Sequence, residues 1–459
     1  YHHPMLSRRN WLLTASLAAA APLTGLDRLQ PAARPGRTEP GFRIKDIRRT
    51  TVALPYRTVP ARNMARELPH WVYSEICEVE LANGIVGFGE TMLYYTWGAT
   101  SDEDVNFAKG KNAAALLWDD ELGAGLQMAC FDAVARAMDV PIHALLGKQI
   151  NKRTPVAWWD IDLPPEDVAA ETKSAAAAGY TAFKTKGRPW FDIWEQAKQG
   201  NAAAPKGFSI TFDYNDTLLD AERGIPILKA VEQYPISKMV ETPIPQGDIP
   251  GNQRIRRETK SAVAMHYGNP SPVVAIRQRV CDGFVVGGGA TKVMTAGRIA
   301  AMADMPFWLQ LVGSSITGAW SRQFGAVLSH ATWPAVTCFQ LYAAQPTKQN
   351  VEVSNGFTTI PNTPGLGVEL DWKVINQYKV PKPHARPEPA RLLETRWPDG
   401  RKLYIGSNGN VNYMLRKFMK PSNLPYYDPG VTCHLLMNDG SRDWRDLYQR
   451  ARSRPVLTR

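Results

Sequence analysis

Four charged residues of two kinds end three short apolar runs of this sequence. Lys184 and Lys186 end the first run, Asp213 ends the second, and Glu241 ends the third. Carboxylates are ligands that divalent cations such as Mg²⁺ prefer, and a lysine beside such a cation can act as a base. Together these groups suit the removal of a proton next to a substrate carboxylate, because a metal ion stabilises the negative charge that develops.

The elements around these residues predict how the four side chains come together. From residue 154 onward, short apolar runs alternate with alanine-rich segments of helical periodicity, which predicts parallel strands joined by helices. Eight such strands predict a TIM-type (β/α) barrel, whose chemistry lies where the carboxyl ends of the strands meet. Because strand side chains alternate with period two, Lys184 and Lys186 lie on one face of their strand. The predicted strands are 155–161, 182–187, 209–215, 238–242, 261–267, 281–286, 306–312 and 335–342.

The segment before the barrel has a different pattern. Alternating apolar runs at 44–52, 71–81 and 85–88, with the turn dipeptide Asn83-Gly84 before the last run, predict three strands and a hairpin. Helical periodicity follows at 123–138. We therefore divide the chain into four predicted segments. They are an export signal and linker (1–41), an α+β domain (42–150), the barrel (151–345), and a C-terminal segment (346–459) that ends in a basic, aromatic and loop-like extension.

Further motifs follow one another in a recognisable order between residues 42 and 370. They are Gly87-Phe88-Gly89-Glu90, a helix over 128–137, Leu146-Gly147-Lys148, the Lys-x-Lys, Asp-x-Asn and Glu-x-Pro strands, and Pro364-Gly365-Leu366-Gly367-Val368. In this order they resemble the enolase superfamily, in its mandelate racemase and muconate lactonizing branch. The resemblance implies a modified (β/α)7β barrel under an N-terminal α+β capping domain, which the C-terminal segment completes. It also implies a homo-oligomer.

The resemblance implies a role for each of the four charged residues. Asp213 and Glu241 would be ligands of a divalent metal, with Mg²⁺ expected, and Lys184 and Lys186 would be bases beside it. The positive charges of the second lysine and the metal would lower the pKa of one lysine, which makes it a competent base near neutrality. The substrate would be a small molecule whose carboxylate binds the metal.

The third metal ligand of the family is an acid on the next strand, and this sequence has no acid at residues 264–268. His266 is the nearest potential ligand there. Imidazole suits Zn²⁺, Mn²⁺ or Fe²⁺ better than Mg²⁺, so those metals are expected if His266 is a ligand.

The opposite face of the expected site lacks a matched base. The family carries a lysine on the sixth strand, or an Asp there with a His on the seventh. Here Asp282 begins the sixth strand, where we interpret it as structural, and residues 307–311 contain no His. One base favours a lyase or isomerase that uses one face, such as a dehydratase of a hydroxy or sugar acid or a cycloisomerase. The alternatives are a racemase or epimerase, and a non-catalytic small-molecule or carbohydrate-binding relic.

Other residues are predicted to support the site. Asn215, Tyr267 and Trp71 are candidates for substrate contacts, whereas Asp216 and Thr217 are well placed to cap the helix that follows. Several tryptophans could form a wall that faces a sugar or an aromatic substrate, with one of the adjacent pair pointing out of the barrel. They are Trp71, Trp97, Trp158, Trp159 and Trp308.

The charge distribution argues against a nucleic-acid partner. The net charge of +11 comes from the ends of the chain, because residues 51–370 carry 28 basic against 32 acidic side chains. No nucleic-acid-binding motif accompanies the basic ends. A basic protein associated with the cell wall is a weaker alternative that rests on these ends alone. The five cysteines show no CxxC spacing and predict no disulfide framework.

The N-terminus resembles a targeting segment. Arg8 and Arg9 precede an aromatic residue and an alanine-rich apolar run that extends to Pro22, as in a twin-arginine export signal. The run is shorter than the roughly 20 residues that a membrane span needs. We therefore predict a protein that is exported to the periplasm, without a membrane span. A Sec-type signal or an uncleaved tail is the alternative.

Overall fold

The computed structural model describes residues 41–95, 98–418 and 424–459. Residues 1–40 of the predicted export signal and Trp97 of the predicted tryptophan wall lie outside the described residues.

The first sheet is antiparallel, with its three strands in sequence order. The Asn83-Gly84 hairpin joins its last two strands, as the sequence predicts. The helix at Ala124–Ala137 packs so closely against this sheet that only glycine fits at position 87. A Cβ there would lie 2.1 Å from the backbone nitrogen of Ala133. The elements are β1 (Ile44–Ala53), β2 (Tyr73–Leu81), β3 (Val86–Met92), α1 (Thr58–Glu67), α2 (Asp102–Ala108), α3 (Ala124–Ala137) and α4 (His143–Leu146), with 3-10 turns at Pro69–Val72, Ala113–Ala115 and Asp120–Leu122.

The barrel is a parallel sheet of seven strands in the order β11-β10-β9-β8-β7-β6-β5. Two parallel bridges, Val156 with Ala335 and Gln310 with Val336, connect its edges through the extended residues 335–336. The predicted TIM-type barrel is therefore confirmed, although the eighth predicted strand is reduced to this bridge and turns into a 3-10 helix at Phe339–Leu341. The strands from β4 onward are β4 (Arg153–Pro155), β5 (Trp158–Trp159), β6 (Ala182–Lys186), β7 (Ser209–Asp213), β8 (Ser237–Glu241), β9 (Ala262–His266), β10 (Gly283–Val286), β11 (Phe307–Leu309) and β12 (Phe357–Thr359), the last paired with β4.

Helices alternate with the barrel strands, and aspartates cap several of them. Asp220 accepts a hydrogen bond from the backbone nitrogen of Arg223 at 2.9 Å and caps α7. The prediction that Asp216 and Thr217 cap this helix is therefore wrong, because the chain after β7 makes a longer turn in which Asp216 has a φ of 68°. The helices are α5 (Pro165–Ala177), α6 (Ile193–Ala203), α7 (Ala221–Val231), α8 (Ile249–Glu258), α9 (Pro272–Arg277), α10 (Ala290–Met302), α11 (Ser315–Val327) and α12 (Trp372–Tyr378).

Glu90 joins the N-terminal sheet to the barrel. Its Oε1 accepts hydrogen bonds from the backbone nitrogens of Ser314 at 2.7 Å and Thr317 at 2.8 Å, at the start of α11. Its Oε2 accepts a hydrogen bond from the Ser314 hydroxyl at 2.7 Å. A buried carboxylate with these donors is well satisfied, so the motif around Glu90 fixes the capping sheet to the barrel.

The described residues of 391–459, which we term the C-terminal module, form a sheet of their own. The order β15-β13-β14-β16 is antiparallel throughout. The predicted loop-like character of this region is wrong, because its short runs pair with one another and pack an apolar face that includes Leu393, Ile405 and Met414. The elements are β13 (Leu392–Arg396), β14 (Lys402–Gly406), α13 (Tyr413–Phe418), β15 (Thr432–Leu436), α14 (Arg442–Ser453) and β16 (Val456–Thr458).

None of the helices in the described ranges combines the length and apolar character that a bilayer crossing demands. All five cysteines are buried free thiols.

Candidate active site

Lys184 lies between the two carboxylates at the carboxyl ends of the barrel strands. Its Nζ is 2.5 Å from Glu241 Oε2 and 3.5 Å from Asp213 Oδ2, and it donates a hydrogen bond to Gln310 Oε1 at 2.9 Å. Burial alone would lower the pKa of Lys184, but the charges of Glu241 and Asp213 outweigh it and raise this pKa. Lys184 is therefore held as a buried cation.

Lys186 differs from Lys184 in exposure and in charge balance. It pairs with Asp213 alone, and 14% of its side chain is exposed, against 3% for Lys184. Burial lowers the pKa of Lys186 more than Asp213 raises it, and the neighbouring charges of Lys184 and Arg188 lower it further. The predicted lowering of one lysine pKa therefore falls on Lys186, which makes it the better base.

Asp213 and Glu241 face each other across neighbouring strands and are fully buried. Asp213 Oδ1 accepts a hydrogen bond from the backbone nitrogen of Asn215 at 3.0 Å. Burial would raise the pKa of Asp213, but Lys186 and Lys184 outweigh it and hold this pKa below its usual range. Both oxygens of Glu241 lie within ion-pair distance of a base, yet neither has a partner in hydrogen-bonding geometry among the described residues.

The side chains at this site supply some, but not all, of the ligands that a small divalent cation needs. In the described ranges, no three His, Cys, Asp or Glu side chains are grouped so that they could hold a metal ion. Two adjacent buried carboxylates are present, and neither oxygen of Glu241 has a described partner in hydrogen-bonding geometry, although Lys184 and His266 lie within ion-pair distance. Mg²⁺ is commonly bound by one or two carboxylates together with substrate oxygens and water, so Asp213 and Glu241 fit it.

His266 lies at the end of β9, beside Glu241. Its Nε2 is 3.0 Å from Glu241 Oε1, and 47% of its side chain is exposed. The structure thus brings the predicted third ligand next to the second one, but it does not bring the three predicted ligands into a metal-binding group within the described chain. The role of His266 as a ligand stays a prediction.

A cavity of about 390 Å³ opens over the lysines, and its volume is typical of a small-molecule site. Trp71 and Asn215, both predicted substrate contacts, line it. Trp71 stacks on Trp159 with ring centroids 5.5 Å apart and contacts the edge of Tyr95 at 5.1 Å. The further lining residues are Leu68, Tyr94, Ile161, Lys184, Lys186, Arg188, Gln310, Val312, Val336, Cys338, Val411, Asn412 and Arg416.

The remaining predicted residues lie elsewhere. Tyr267 packs edge-to-face on Phe284 at 5.4 Å and does not line this cavity, so its predicted substrate contact has no support in the structure. Trp158 points away from the cavity and donates a hydrogen bond to Glu171 at 2.7 Å, as expected for one member of the tryptophan pair. Asp282 accepts hydrogen bonds from Arg256 and from the backbone nitrogen of Val263, which agrees with its structural interpretation.

Sequence reasoning missed three residues of this site, namely Arg188, Gln310 and Glu67. Arg188 lines the cavity, forms a buried ion pair with Glu67 at 2.8 Å, and donates a hydrogen bond to Asn215 Oδ1 at 2.9 Å. Gln310 positions Lys184. A signal existed for Arg188, since it continues the period-two spacing of the two lysines. Glu67 and Gln310 are far away in sequence and gave no local signal.

Apart from the two lysines, the residues that line the described cavity include no His, Asp or Glu that could act as a second base. The residues contributed by the end of β11 and the extended segment after it are Gln310, Val312, Val336 and Cys338. Burial raises the pKa of the Cys338 thiol far above neutrality, so this thiol stays protonated. The site therefore offers lysine bases on one face.

Comparisons with known proteins agree with this architecture. The family described as enolase C-terminal domain-like matches residues 167–374. The chain is 21% identical over 348 residues to the N-succinyl-L-Arg/Lys racemase of Bacillus cereus, covering 67% of this chain and 90% of that protein. It is 24% identical to a chloromuconate cycloisomerase of Cupriavidus necator, covering 65% of this chain and 89% of that protein. It is 22% identical to the D-galactonate dehydratase of Ralstonia nicotianae, covering 67% and 90%.

Solved structures of similar proteins share the fold. The crystal structure of the Bacillus cereus N-succinyl Arg/Lys racemase superposes with a TM-score of 0.60 at 19% identity, covering 74% of this chain and 98% of that chain. An enolase from Thermobispora bispora, complexed with magnesium and formate, superposes with a TM-score of 0.62 at 20% identity, covering 73% and 92%.

Proposed function

Because the chain belongs to the enolase superfamily, in its mandelate racemase and muconate lactonizing branch, we propose that it removes the α-proton of a small carboxylate substrate. Its reaction is that of a lyase or isomerase, as a dehydratase of a hydroxy or sugar acid or as a cycloisomerase. The observation that supports this best is the arrangement of Lys186, a lysine of lowered pKa on the cavity wall, beside two buried carboxylates.

The chain's own residues divide the work between them. Lys186 Nζ accepts the α-proton, and the electron pair of the broken C–H bond moves toward the substrate carboxylate. Lys184 stays protonated, because Glu241, Asp213 and Gln310 hold it, and contributes positive charge where negative charge develops. Arg188 and Asn215 line the same cavity and orient the substrate's polar groups.

Asp213 and Glu241 are the residues that would hold a divalent cation, with Mg²⁺ as the proposed metal. When bound, such a cation supplies positive charge that binds the substrate carboxylate and lowers the free energy of its enolate form. If His266 is a ligand, Mn²⁺, Zn²⁺ or Fe²⁺ becomes the better match. This metal assignment rests on the two adjacent buried carboxylates of Asp213 and Glu241.

The proposed reaction differs from racemisation because it needs a base on only one side of the substrate α-carbon. A racemase needs bases on both sides of the α-carbon, and the described lining offers no His, Asp or Glu beside the two lysines of one strand. Racemisation remains the second candidate, because one relative is a racemase of N-succinyl amino acids. A non-catalytic relic is disfavoured, since burying four charges in an unused site would be costly without a function.

Proton exchange tests the proposal directly. The metal-loaded protein is incubated in D₂O with D-galactonate, D-gluconate, chloromuconate and N-succinyl-L-arginine, followed by NMR and chiral chromatography. We expect dehydration or cycloisomerisation of an acid with one α-configuration, without interconversion of epimers. Interconversion would support the racemase alternative. Binding without any exchange would contradict the enzymatic proposal and support the relic.

We also propose export through the twin-arginine route, from Arg8 and Arg9 ahead of the apolar run. Fusing residues 1–41 to a folded reporter should place it in the periplasm, and replacing both arginines by lysine should retain it in the cytoplasm. A reporter that is exported equally well without the arginine pair would indicate a Sec-type signal instead. The predicted homo-oligomer stays a prediction.

A further inference from the structure

The C-terminal module lies beyond the residues that match the family, yet it forms part of the cavity wall. Val411, Asn412 and Arg416 line the cavity together with Lys184 and Lys186. The family match ends at residue 374. Residues added to a shared fold commonly set specificity, because binding is determined by the groups that line a site and not by the fold itself.

Hydrogen bonds anchor the module at the mouth of the barrel. The Tyr427 hydroxyl donates to the Gly187 carbonyl at 2.7 Å, directly after the strand that carries the two lysines. Arg391 donates to the carbonyls of Arg66 at 3.1 Å and Glu67 at 2.9 Å. These partners are buried, so the contacts are worth more than exposed ones and hold the module in a defined position.

An apolar cluster fixes the same interface. Trp190 and Phe191, which follow the lysine strand by a few residues, are almost fully buried against side chains of the module. Tyr413, at the start of α13, is fully buried in this cluster. Because Arg416 is one turn of the same helix farther on, its backbone position over the cavity follows from the burial of Tyr413. The module partners in this cluster are Leu393, Trp397, Leu403, Ile405, Tyr413, Met414, Phe418, Val431 and Cys433.

The charges that line the cavity are all positive. They belong to Lys184, Lys186, Arg188 and Arg416, and none of the lining residues described is Asp or Glu. The first three cations have buried carboxylate partners in Glu241, Asp213 and Glu67. Arg416, an exposed residue at the cavity, therefore supplies the positive charge that no described carboxylate offsets, and this charge favours an anionic ligand.

Arg416 differs from the other three cations because no carboxylate in the described ranges pairs with it. Its Nε donates to the Val411 carbonyl at 3.2 Å, a contact within its own segment. This contact leaves the terminal nitrogens of the guanidinium available, and that group is shaped to bind a carboxylate through two parallel hydrogen bonds. The Asn412 side chain lies on the same wall and can add a donor.

We propose that Arg416, assisted by Asn412, binds a second carboxylate of the substrate, so that the preferred substrates are dicarboxylic acids. One carboxylate lies at the reacting centre beside Lys184 and Lys186, and the other lies under the C-terminal module. Arg416 is thus a binding residue that sets specificity. The inference rests on the proposed function for the position of the first carboxylate, whereas the preference for a second one is a property of binding that can be measured without turnover.

Matched ligands test this proposal by calorimetry on the full chain, loaded with Mg²⁺. Adipate and hexanoate have the same chain length and differ by one carboxylate. We expect adipate to bind wild type at least tenfold more tightly than hexanoate. Arg416→Met should reduce this ratio to near one with little change for hexanoate, and Arg416→Lys should restore part of it. Arg442→Met, an exposed arginine of the same module that lines no part of this cavity, serves as the control and should keep the ratio.

Two outcomes would overturn the proposal: equal affinity of wild type for both acids, and an adipate preference that survives in Arg416→Met. A separate measurement of α-proton exchange distinguishes failure of the Arg416 proposal from failure of the proposed function. Exchange of a monocarboxylic acid without any preference for dicarboxylates would support the function and refute the role of Arg416. A preference that depends on Arg416, without exchange of any acid, would support Arg416 and refute the function.

Discussion

Replacing Lys186 by methionine should lower the turnover number by about 10²–10⁴-fold, the usual contribution of a general base. Methionine keeps most of the side-chain volume but has no group that accepts a proton. Lys186 is the lysine whose pKa is lowered and whose side chain is partly exposed to the cavity, so the loss should fall on the proton-transfer step. The measurement is solvent deuterium exchange at the α-carbon, with substrate binding followed separately. Binding should change far less than exchange.

The protonation state of Lys186 determines the direction in which the reaction rate should change with pH. Lys186 must be neutral to accept a proton, so the rate should rise with pH until its pKa is passed. Because burial and the charges of Lys184 and Arg188 lower that pKa, the acid limb should lie below the ordinary lysine pKa of 10.5. As the pH falls beneath this limb, protonation should reduce the rate tenfold per unit.

Lys198→Met is the matched control for Lys186→Met. It removes the same charge from an exposed position on α6, and both rate and pH profile should stay unchanged. A residual activity of Lys186→Met that keeps the wild-type acid limb would show that another group is the base.

Asp213→Asn and Glu241→Gln should each abolish metal binding. Wild type loaded with Mg²⁺ or Mn²⁺ should retain close to one ion per chain after gel filtration, whereas both variants should retain almost none. Each substitution replaces a fully buried carboxylate, which we propose as a metal ligand, by a neutral amide. Elemental analysis measures the content, and calorimetric titration with Mn²⁺ measures the affinity. Asp304→Asn, which removes an almost fully exposed carboxylate of the barrel, should bind metal as wild type does.

The same variants should be less stable without metal. Removing one carboxylate leaves buried lysines without their partner, which costs about 3–5 kcal/mol in comparable buried pairs. Thermal unfolding in EDTA measures this, and circular dichroism must show that each variant is folded at the temperature of the metal assay. Saturating metal should stabilise wild type, by about 2.7 kcal/mol at 100 times Kd, and leave both variants unchanged.

His266→Ala separates the two metal assignments. Retention of Mg²⁺ in this variant would mean that Asp213 and Glu241 bind the cation without His266. Isolation of zinc, manganese or iron that is lost in His266→Ala would identify His266 as a ligand. Wild type without metal under every loading condition would contradict the metal-dependent mechanism and favour the relic.

The sequence by itself determined the features that depend on local pattern. Period-two alternation predicts that Lys184 and Lys186 share a face, and the recurring strand–helix pattern predicts the barrel that places them beside Asp213 and Glu241. Asn83-Gly84 predicts the hairpin of the capping sheet. These predictions succeed because strands, helices and tight turns follow from residues a few positions apart.

Only the tertiary structure decided how the charged groups differ. Lys184 and Lys186 are equivalent by local pattern. Their pKa values separate because burial lowers both, but the charges of Glu241 and Asp213 outweigh burial only at Lys184. The buried pair of Glu67 with Arg188 joins two residues that are 121 positions apart. The place of Arg416 over the cavity depends on a module folded far along the chain from the lysines. Burial and charge proximity are set by packing between distant elements, and neither leaves a mark in the local spacing of residues.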